Sequence, residues 1–317
     1  MRRLLYSVLA VALSGIPPAV CQPGRAVPLH AFPEATSAVH TAIGDDYFDG
    51  TSSPERVRRH FLTARRAGVK YLRCGFSWNG IEKERGAYDW KFWDGLVAAA
   101  EENQIGLIPY LAYTPQWAAR DAKDFWKQPP RSAADFAEFA KTAAARYRGR
   151  IRSWEIWNEP DNKDYWTGDV HEFAELVKAA AVAIREGDPN AVLVLGGMAN
   201  GPGEFFRALI EDEHVDRYVD VVSAHAYPET WLSERAETVF QQWIPAMQRM
   251  IAAGGSGAGL WLNEMGYADY RYRPNQASVY GIPVFYRHEH TRRYQGDMLF
   301  KFHVMALASE CPGTLAG

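Results

Sequence analysis

The sequence predicts an α/β protein, a (β/α)8 TIM barrel apparently truncated at its eighth strand. Three observations carry this. From about residue 38 onward, short β-rich runs alternate with longer helical patterns, seven such units can be counted, and no Pro/Gly/Ser-rich linker or charge run divides the 317 residues. Strands joined through helices run parallel, because a parallel pair needs a crossover connection. A barrel of this kind takes about 250 residues, which this length accommodates once. A doubly wound open sheet is the other arrangement of such units. The first strand-to-helix turn, Gly44-Asp45-Asp46-Tyr47, has none of the G-x-G-x-x-G glycines that such a sheet uses for dinucleotides.

Residues 1–21 read as a signal peptide: Arg2 and Arg3, an apolar stretch from Leu4 to Leu13, then Ala19-Val20-Cys21 as a small-residue cleavage site. The stretch is broken by Gly15, Pro17 and Pro18 and is shorter than the ~20 residues of a membrane span. A secreted or periplasmic protein with no membrane span in its mature chain is therefore expected. Residues 22–37 form a lead-in, and 38–317 the barrel.

The predicted strands are Val39 to Gly44, Val69 to Ser77, Gly106 to Tyr113, Ile151 to Trp157, Ala191 to Gly196, Val219 to Tyr227 and Leu260 to Glu264. Ser53-Pro54-Glu55 opens the first helix with Pro in the first turn. Phe136, Phe139, Ala140, Ala143 and Tyr147 share one helical face, started by Ser132 with Asp135 three positions on. Phe173, Leu176, Val177, Ala180 and Ile184 share another, ended at Gly187 and Pro189. Thr291 to Ser309 reads as the seventh helix, and Thr314 to Gly317 as an eighth strand just beginning. A C-terminally incomplete barrel is thus expected, and a fragment is preferred to a natural stub because an open ring leaves two strand edges unpaired.

Composition bounds the chemistry. With 47% hydrophobic residues the chain can bury a core, and 35 Lys and Arg against 38 Asp and Glu leave no electrostatic footprint for nucleic acid. Three cysteines cannot form a disulfide scaffold. Cys74 should face the helix layer and Cys311 precedes the eighth strand, about 9 to 10 Å away across two strand spacings, so both are expected to stay thiols. No His, Cys or carboxylate group has metal-ligand spacing such as H-E-x-x-H, and His288-Glu289-His290 are adjacent rather than three or four apart, so neither a metal nor a cofactor is expected.

In a barrel the reacting groups lie where strands end. Glu159 ends the fourth predicted strand in Trp154-Glu155-Ile156-Trp157-Asn158-Glu159-Pro160, and Glu264 ends the seventh in Leu260-Trp261-Leu262-Asn263-Glu264-Met265-Gly266. Strands four and seven stand on opposing sides of an eight-stranded ring, so two carboxylates can flank one bond.

These motifs resemble those of the clan A, or 4/7, retaining glycoside hydrolases, with families 39 and 5 nearest. The resemblance runs over roughly residues 38 to 310 and includes Arg73 on strand two, Tyr113-Thr114-Pro115-Gln116-Trp117 after strand three and His225-Ala226-Tyr227 on strand six. It implies that Glu159 is the general acid and base, that Glu264 is the nucleophile, and that Asn158 holds the sugar 2-hydroxyl. Arg73, inward by parity with Tyr71 and Gly75, would then lower the pKa of Glu264 by its charge, and Tyr227 would donate a hydrogen bond to it. Glu155 shares the parity of Glu159 lower in the strand, where a carboxylate paired with a cation is expected, and Arg73 could be that cation instead. His225 is read either as a core histidine or as a substrate contact, and His40 as core. Trp78, Trp117 and Trp166 follow strands two, three and four, where their rings could line the cleft or simply pack. The aromatic stretch from Tyr267 to His290 is expected to be a lid or subsite wall. The clan usually has a Trp on strand eight, and this sequence ends before one.

The expected function is retaining hydrolysis of O-glycosidic, β-linked bonds in an oligosaccharide or polysaccharide. The rival readings are a non-catalytic carbohydrate-binding barrel inactivated by loss of strand eight and a metal-dependent barrel hydrolase.

Overall fold

A computed structural model describes residues 8–11, 41–45, 52–229, 232, 234–267, 278–279, 282–283 and 291–308. Eight strands form one closed ring in chain order: β1 (Val8–Val11), β2 (Thr41–Asp45), β3 (Tyr71–Ser77), β4 (Gly106–Ala112), β5 (Ser153–Ile156), β6 (Val192–Met198), β7 (Val221–Ala226) and β8 (Gly259–Met265). From β2 to β8 every neighbour pairs in parallel, and these seven are the predicted strands. Among the described residues no eighth parallel strand exists. The edges that a ring without its eighth parallel strand would leave bare are paired. The place between β8 and β2 is taken by β1, antiparallel to both, with Val8 opposite Gly44, Val11 opposite Thr41, and Val11 also opposite Leu262. Unpaired N–H and C=O groups along an edge are a template for any available strand.

The helices are α1 (Pro54–Arg66), α2 (Trp78–Ile81), α3 (Lys91–Glu102), α4 (Ala133–Arg146), α5 (Val170–Gly187), α6 (Glu204–Glu211), α7 (Ala236–Thr238), α8 (Ile244–Gly254) and α9 (Arg292–Ala308). A π-helical turn at Val239–Trp243 joins α7 to α8. Local chemistry sets the ends. Ser53 and Ser132 cap α1 and α4 through their hydroxyls. Asp169 and Glu172 form a reciprocal capping box at the start of α5, a device worth about 1 kcal/mol. The predicted faces of α4 and α5 are buried in a large cluster between strands and helices. None of the helices among the described residues is long and apolar enough to cross a membrane. Within the expected lid, a short pair β9 (Ser278–Val279) and β10 (Ile282–Pro283) is described. Its other residues from 268 to 290, together with His40 and Cys311, lie outside the described residues.

Alternation along each strand sorts side chains between the barrel interior and this outer cluster. Ile108, Val192, Val194, Val221 and Trp261 fill the interior with Tyr71, while Cys74, Phe76, Trp154 and Leu262 face the helices. Arg73 therefore points inward as predicted, and Cys74 is a buried thiol in the outer layer.

The alternation is broken beyond β5 and on β8, and the β6–β7 ladder also shifts between Leu195 and Met198. Beyond β5, Trp157 and Glu159 take left-handed backbone angles, φ 72° and 46°, which non-glycine residues seldom adopt and which cluster at functional sites. This turns Trp157 out into the helix layer. On β8 the ladder to β7 slips: Ala224 pairs with Leu262 and the next residue, His225, with Glu264, so Asn263 is an extra residue. Such a bulge re-aims side chains. Both Asn263 and Glu264 consequently reach partners inside the barrel.

Candidate active site

Arg73, 4% exposed in the middle of β3, organises the site. Its Nε and Nη2 donate to the two oxygens of Glu155 at 2.7 and 2.9 Å, Nη1 donates to Glu264 Oε2 at 2.7 Å, and Nη2 also to Asn158 Oδ1 at 2.7 Å. The guanidinium lies over the ring of Tyr110, 4.5 Å from its centre. A planar fork of five donors can serve three acceptors at once, which the point charge of a lysine cannot do in fixed geometry. The two roles open for Arg73 are thus both filled. It is the cation for Glu155 and it also holds Glu264. Glu155, fully buried, accepts further from Asn263 Nδ2 at 3.0 Å and from the Gly197 N–H at 3.2 Å.

Glu264 accepts from the Tyr227 hydroxyl at 2.5 Å and lies 3.6 Å from His225 Nδ1. Burial works to raise its carboxyl pKa, but the charges of His225 and Arg73 and the hydrogen bonds from Tyr227 and Arg73 outweigh it and hold the group below the usual carboxylate value. Burial and the neighbouring Glu264 charge push the Tyr227 phenol well up, so it stays a donor. A glycine makes room for this ring: a β-carbon on Gly266 would stand 2.7 Å from Tyr227 Cε1.

Glu159 is held differently. One oxygen lies 2.9 Å from His225 Nδ1, and Asn162 Nδ2 donates to the other at 3.0 Å. Burial raises its pKa, and the Glu264 charge adds to that against the opposing effect of His225. One carboxyl is thus pushed up and its neighbour down, the separation of tasks that acid and nucleophile require. An oxygen of Glu159, one of Glu264 and a ring nitrogen of His225 all lie within 4.8 Å of one another.

That trio also has the donor set of a cation site, but its neighbours argue otherwise. Arg73 already brings a positive charge to Glu264, and His225 Nδ1 lies at hydrogen-bond distance from Glu159. A second trio, His171, Glu175 and Glu213, lies near the surface with the Lys178 ammonium 2.8 Å from Glu213.

Of the predicted residues, Glu159, Glu264, Asn158, Arg73, His225 and Tyr227 come together in one cluster. Trp78 and Trp166 do not, and the cleft-lining reading is corrected for both. Each is completely buried, Trp78 against Phe136 and Phe139 and Trp166 against Trp157 and Phe173, in the aromatic cluster of the helix layer. Trp117 is half-buried; its indole donates to the Glu82 carbonyl and its ring carries Arg85. Tyr113 joins Tyr227 and Tyr110 beside the site: its hydroxyl accepts from Asn158 Nδ2 at 3.3 Å and its ring touches Trp126 and Tyr165. Reading by motif missed Tyr110, Asn162, Asn263 and Gly197. Tyr110 shares the inward parity of Ile108, a signal that was present. Asn263 shares the inward parity of Trp261, whereas Asn162 owes its place to a turn, which leaves no period in a sequence.

A sequence model of glycosyl hydrolases family 39 matches residues 53–253. The chain belongs to this family. A β-xylosidase of Caldicellulosiruptor saccharolyticus is 30% identical over 141 residues, covering 39% of this chain and 28% of the relative. Among solved structures, a family 39 glycoside hydrolase from Bacteroides cellulosilyticus superposes with a TM-score of 0.62 at 17% identity, covering 83% of this chain and 53% of that one. A family 39 β-xylosidase from Caulobacter crescentus gives 0.57 at 22%, covering 74% and 55%. The chain therefore spans about half the length of these structures and less of the curated xylosidase. At such identities the superpositions speak to the fold, which is the barrel of this family.

Within a family 39 barrel, removing the Tyr227 hydroxyl isolates one support of Glu264. In Tyr227→Phe the carboxylate loses a hydrogen bond of a kind worth about 1.5 to 3 kcal/mol, so kcat/KM should fall about 10- to 100-fold. The acid limb of the pH profile should move to higher pH, because that bond lowers the Glu264 pKa.

Proposed function

We propose that this family 39 barrel is a retaining β-glycoside hydrolase acting through a covalent glycosyl-enzyme, with Glu264 as nucleophile and Glu159 as acid and base. The observation that carries the reading is that an oxygen of Glu159 and an oxygen of Glu264 lie within 4.8 Å of each other, so that both carboxyls can reach one glycosidic bond. Retaining enzymes hold theirs about 5 to 5.5 Å apart, whereas inverting enzymes need about 6.5 to 9.5 Å to admit a water.

A Glu264 oxygen attacks the anomeric carbon while Glu159 gives its proton to the departing glycosidic oxygen. Arg73 and Tyr227 hold Glu264 ionised and aimed until it bonds. Burial raises the Glu159 pKa and the Glu264 charge adds to that; once Glu264 is an ester its charge is gone and the Glu159 pKa falls. Glu159, now the stronger acid and deprotonated, takes a proton from water as that water attacks the same carbon and frees Glu264. Asn158, fixed by Arg73 on one side and Tyr113 on the other, holds the sugar 2-hydroxyl in a contact that tightens at the transition state. No metal or cofactor is needed for these steps.

The name of the Caldicellulosiruptor relative makes a β-xyloside the first substrate to try. An aryl β-xyloside followed by proton NMR should release β-xylose first, with the α anomer appearing only by mutarotation; α-xylose as first product would overturn the retaining assignment. Binding without turnover across a panel of aryl glycosides would point to the carbohydrate-binding alternative.

The protonation pattern sets the pH profile. Activity needs Glu264 ionised and Glu159 protonated, and their pKa values are displaced in opposite directions from the ordinary 4.5. The acid limb of kcat/KM is expected below pH 4.5 and the basic limb above it. A profile with both limbs below 4.5 would contradict the assignment.

We also propose that residues 1–21 direct export and are removed. Cleavage would take β1 with it, so mass spectrometry of the secreted form should find a mature chain beginning after Cys21.

A further inference from the structure

The geometry points to Gly197 as a positioning residue for the acid/base: its missing side chain is the space in which the His225 ring lies against Glu159. The inference rests on the reading of Glu159 given above. A β-carbon on Gly197 would stand 2.0 Å from His225 Nε2, 2.2 Å from Cδ2 and 2.9 Å from Cε1, which no real contact allows.

The ring has little room to withdraw. It is 2% exposed, and its opposite edge is engaged, with Nδ1 2.9 Å from Glu159 and 3.6 Å from Glu264. Nε2, facing the Gly197 backbone, has no hydrogen-bond partner among the described residues. One edge of the imidazole is therefore held by hydrogen bonding and the other by shape alone, and Gly197 supplies that shape.

The same glycine is tied to the Glu155 carboxylate and to the Glu159 backbone. Its N–H donates to Glu155 Oε1 at 3.2 Å and its carbonyl accepts from the Glu159 N–H at 3.1 Å. It lies where the β6–β7 ladder slips, between Leu195 opposite Val222 and Met198 opposite Ala224. A bulge there brings bare backbone close to the side chains of Glu155 and His225. Gly197 does not have a positive φ, unlike Gly201. The position requires space rather than glycine's conformational freedom, so alanine would act through the ring.

The test is a double-mutant cycle in the full chain, with Gly197→Ala, His225→Ala and the pair, using aryl glycosides of the sugar that the wild type turns over. Displacing the ring weakens control of proton donation. For Gly197→Ala, kcat/KM should fall about 10- to 100-fold on a phenyl glycoside, which needs a proton on its leaving oxygen, and by about threefold or less on a dinitrophenyl glycoside, which does not. The basic limb should move to higher pH, since His225 lowers the Glu159 pKa. In the His225→Ala background the substitution should cost no more than about twofold. Equal losses on both leaving groups, an unmoved basic limb, or a full cost in the absence of the ring would overturn the proposal.

Thermal unfolding of the four proteins covers the remaining cases. Gly197→Ala should lower Tm when His225 is present and not when it is absent. If Gly197→Ala alone does not fold, folding of the pair supports the steric claim and failure of both single-background forms refutes it. Should the wild type show no turnover, the function proposed above fails, and this Tm cycle still decides whether Gly197 makes room for the ring.

Discussion

Replacing Glu264 by glycine is expected to lower kcat by about 10⁴- to 10⁶-fold, the range seen when a nucleophile that works in concert with other groups is removed. Azide should restore turnover of an aryl glycoside with a good leaving group. The missing side chain leaves a space on one face of the anomeric carbon, and a small anion there attacks once, so the product from a β-glycoside is the α-glycosyl azide. In Glu159→Ala the nucleophile is intact; the glycosyl-enzyme forms, azide attacks it second, and the β-glycosyl azide results. The two products, distinguished by NMR, assign each carboxylate independently. The same azide from both variants, or no rescue in either, would remove the basis for the double displacement.

Removing Arg73 should cost both stability and activity, and the two losses can be separated. Arg73→Met leaves Glu155 buried with its charge uncompensated, and breaking such a pair costs about 3 to 5 kcal/mol, a fall in Tm on the order of 10 °C. Replacing both partners, Arg73→Met with Glu155→Leu, takes the stranded charge away and should recover most of the Tm, because a buried pair exchanged for packed apolar groups is often neutral. Activity should not return. Glu264 still lacks the Nη1 contact at 2.7 Å and Asn158 has lost its anchor at 2.7 Å. A double variant that recovered turnover along with stability would show that Arg73 serves only Glu155.

The electrostatic order of the site explains why these variants differ. Arg73 forms ion pairs with two carboxylates, Glu155 and Glu264, but leaves Glu159 to His225 and Asn162. The fixed positive charge thus lies on the side of the proposed nucleophile. The group that must hold a proton is paired with a titratable ring instead, whose own pKa burial would lower but the Glu264 charge and the Glu159 hydrogen bond raise. This asymmetry lets one pocket keep two adjacent carboxyls in different states.

The sequence by itself determined the seven parallel strands, the faces of α4 and α5, the inward side of Arg73 and the outward side of Cys74. Each follows from a period of two or 3.6 that the covalent chain imposes locally. It also determined which two glutamates end strands, through motifs only a few residues long. Only the tertiary structure decided how those ends are aimed. The left-handed turn at Trp157 sends an indole outward, the extra residue Asn263 on β8 carries Glu264 to Arg73 and Tyr227, and bare backbone at Gly197 admits the His225 ring. Packing of the outer layer likewise decided that Trp78 and Trp166 belong to the core. Bulges, turns and close approaches depend on residues far apart in the chain meeting in space, and such meetings leave no period to read.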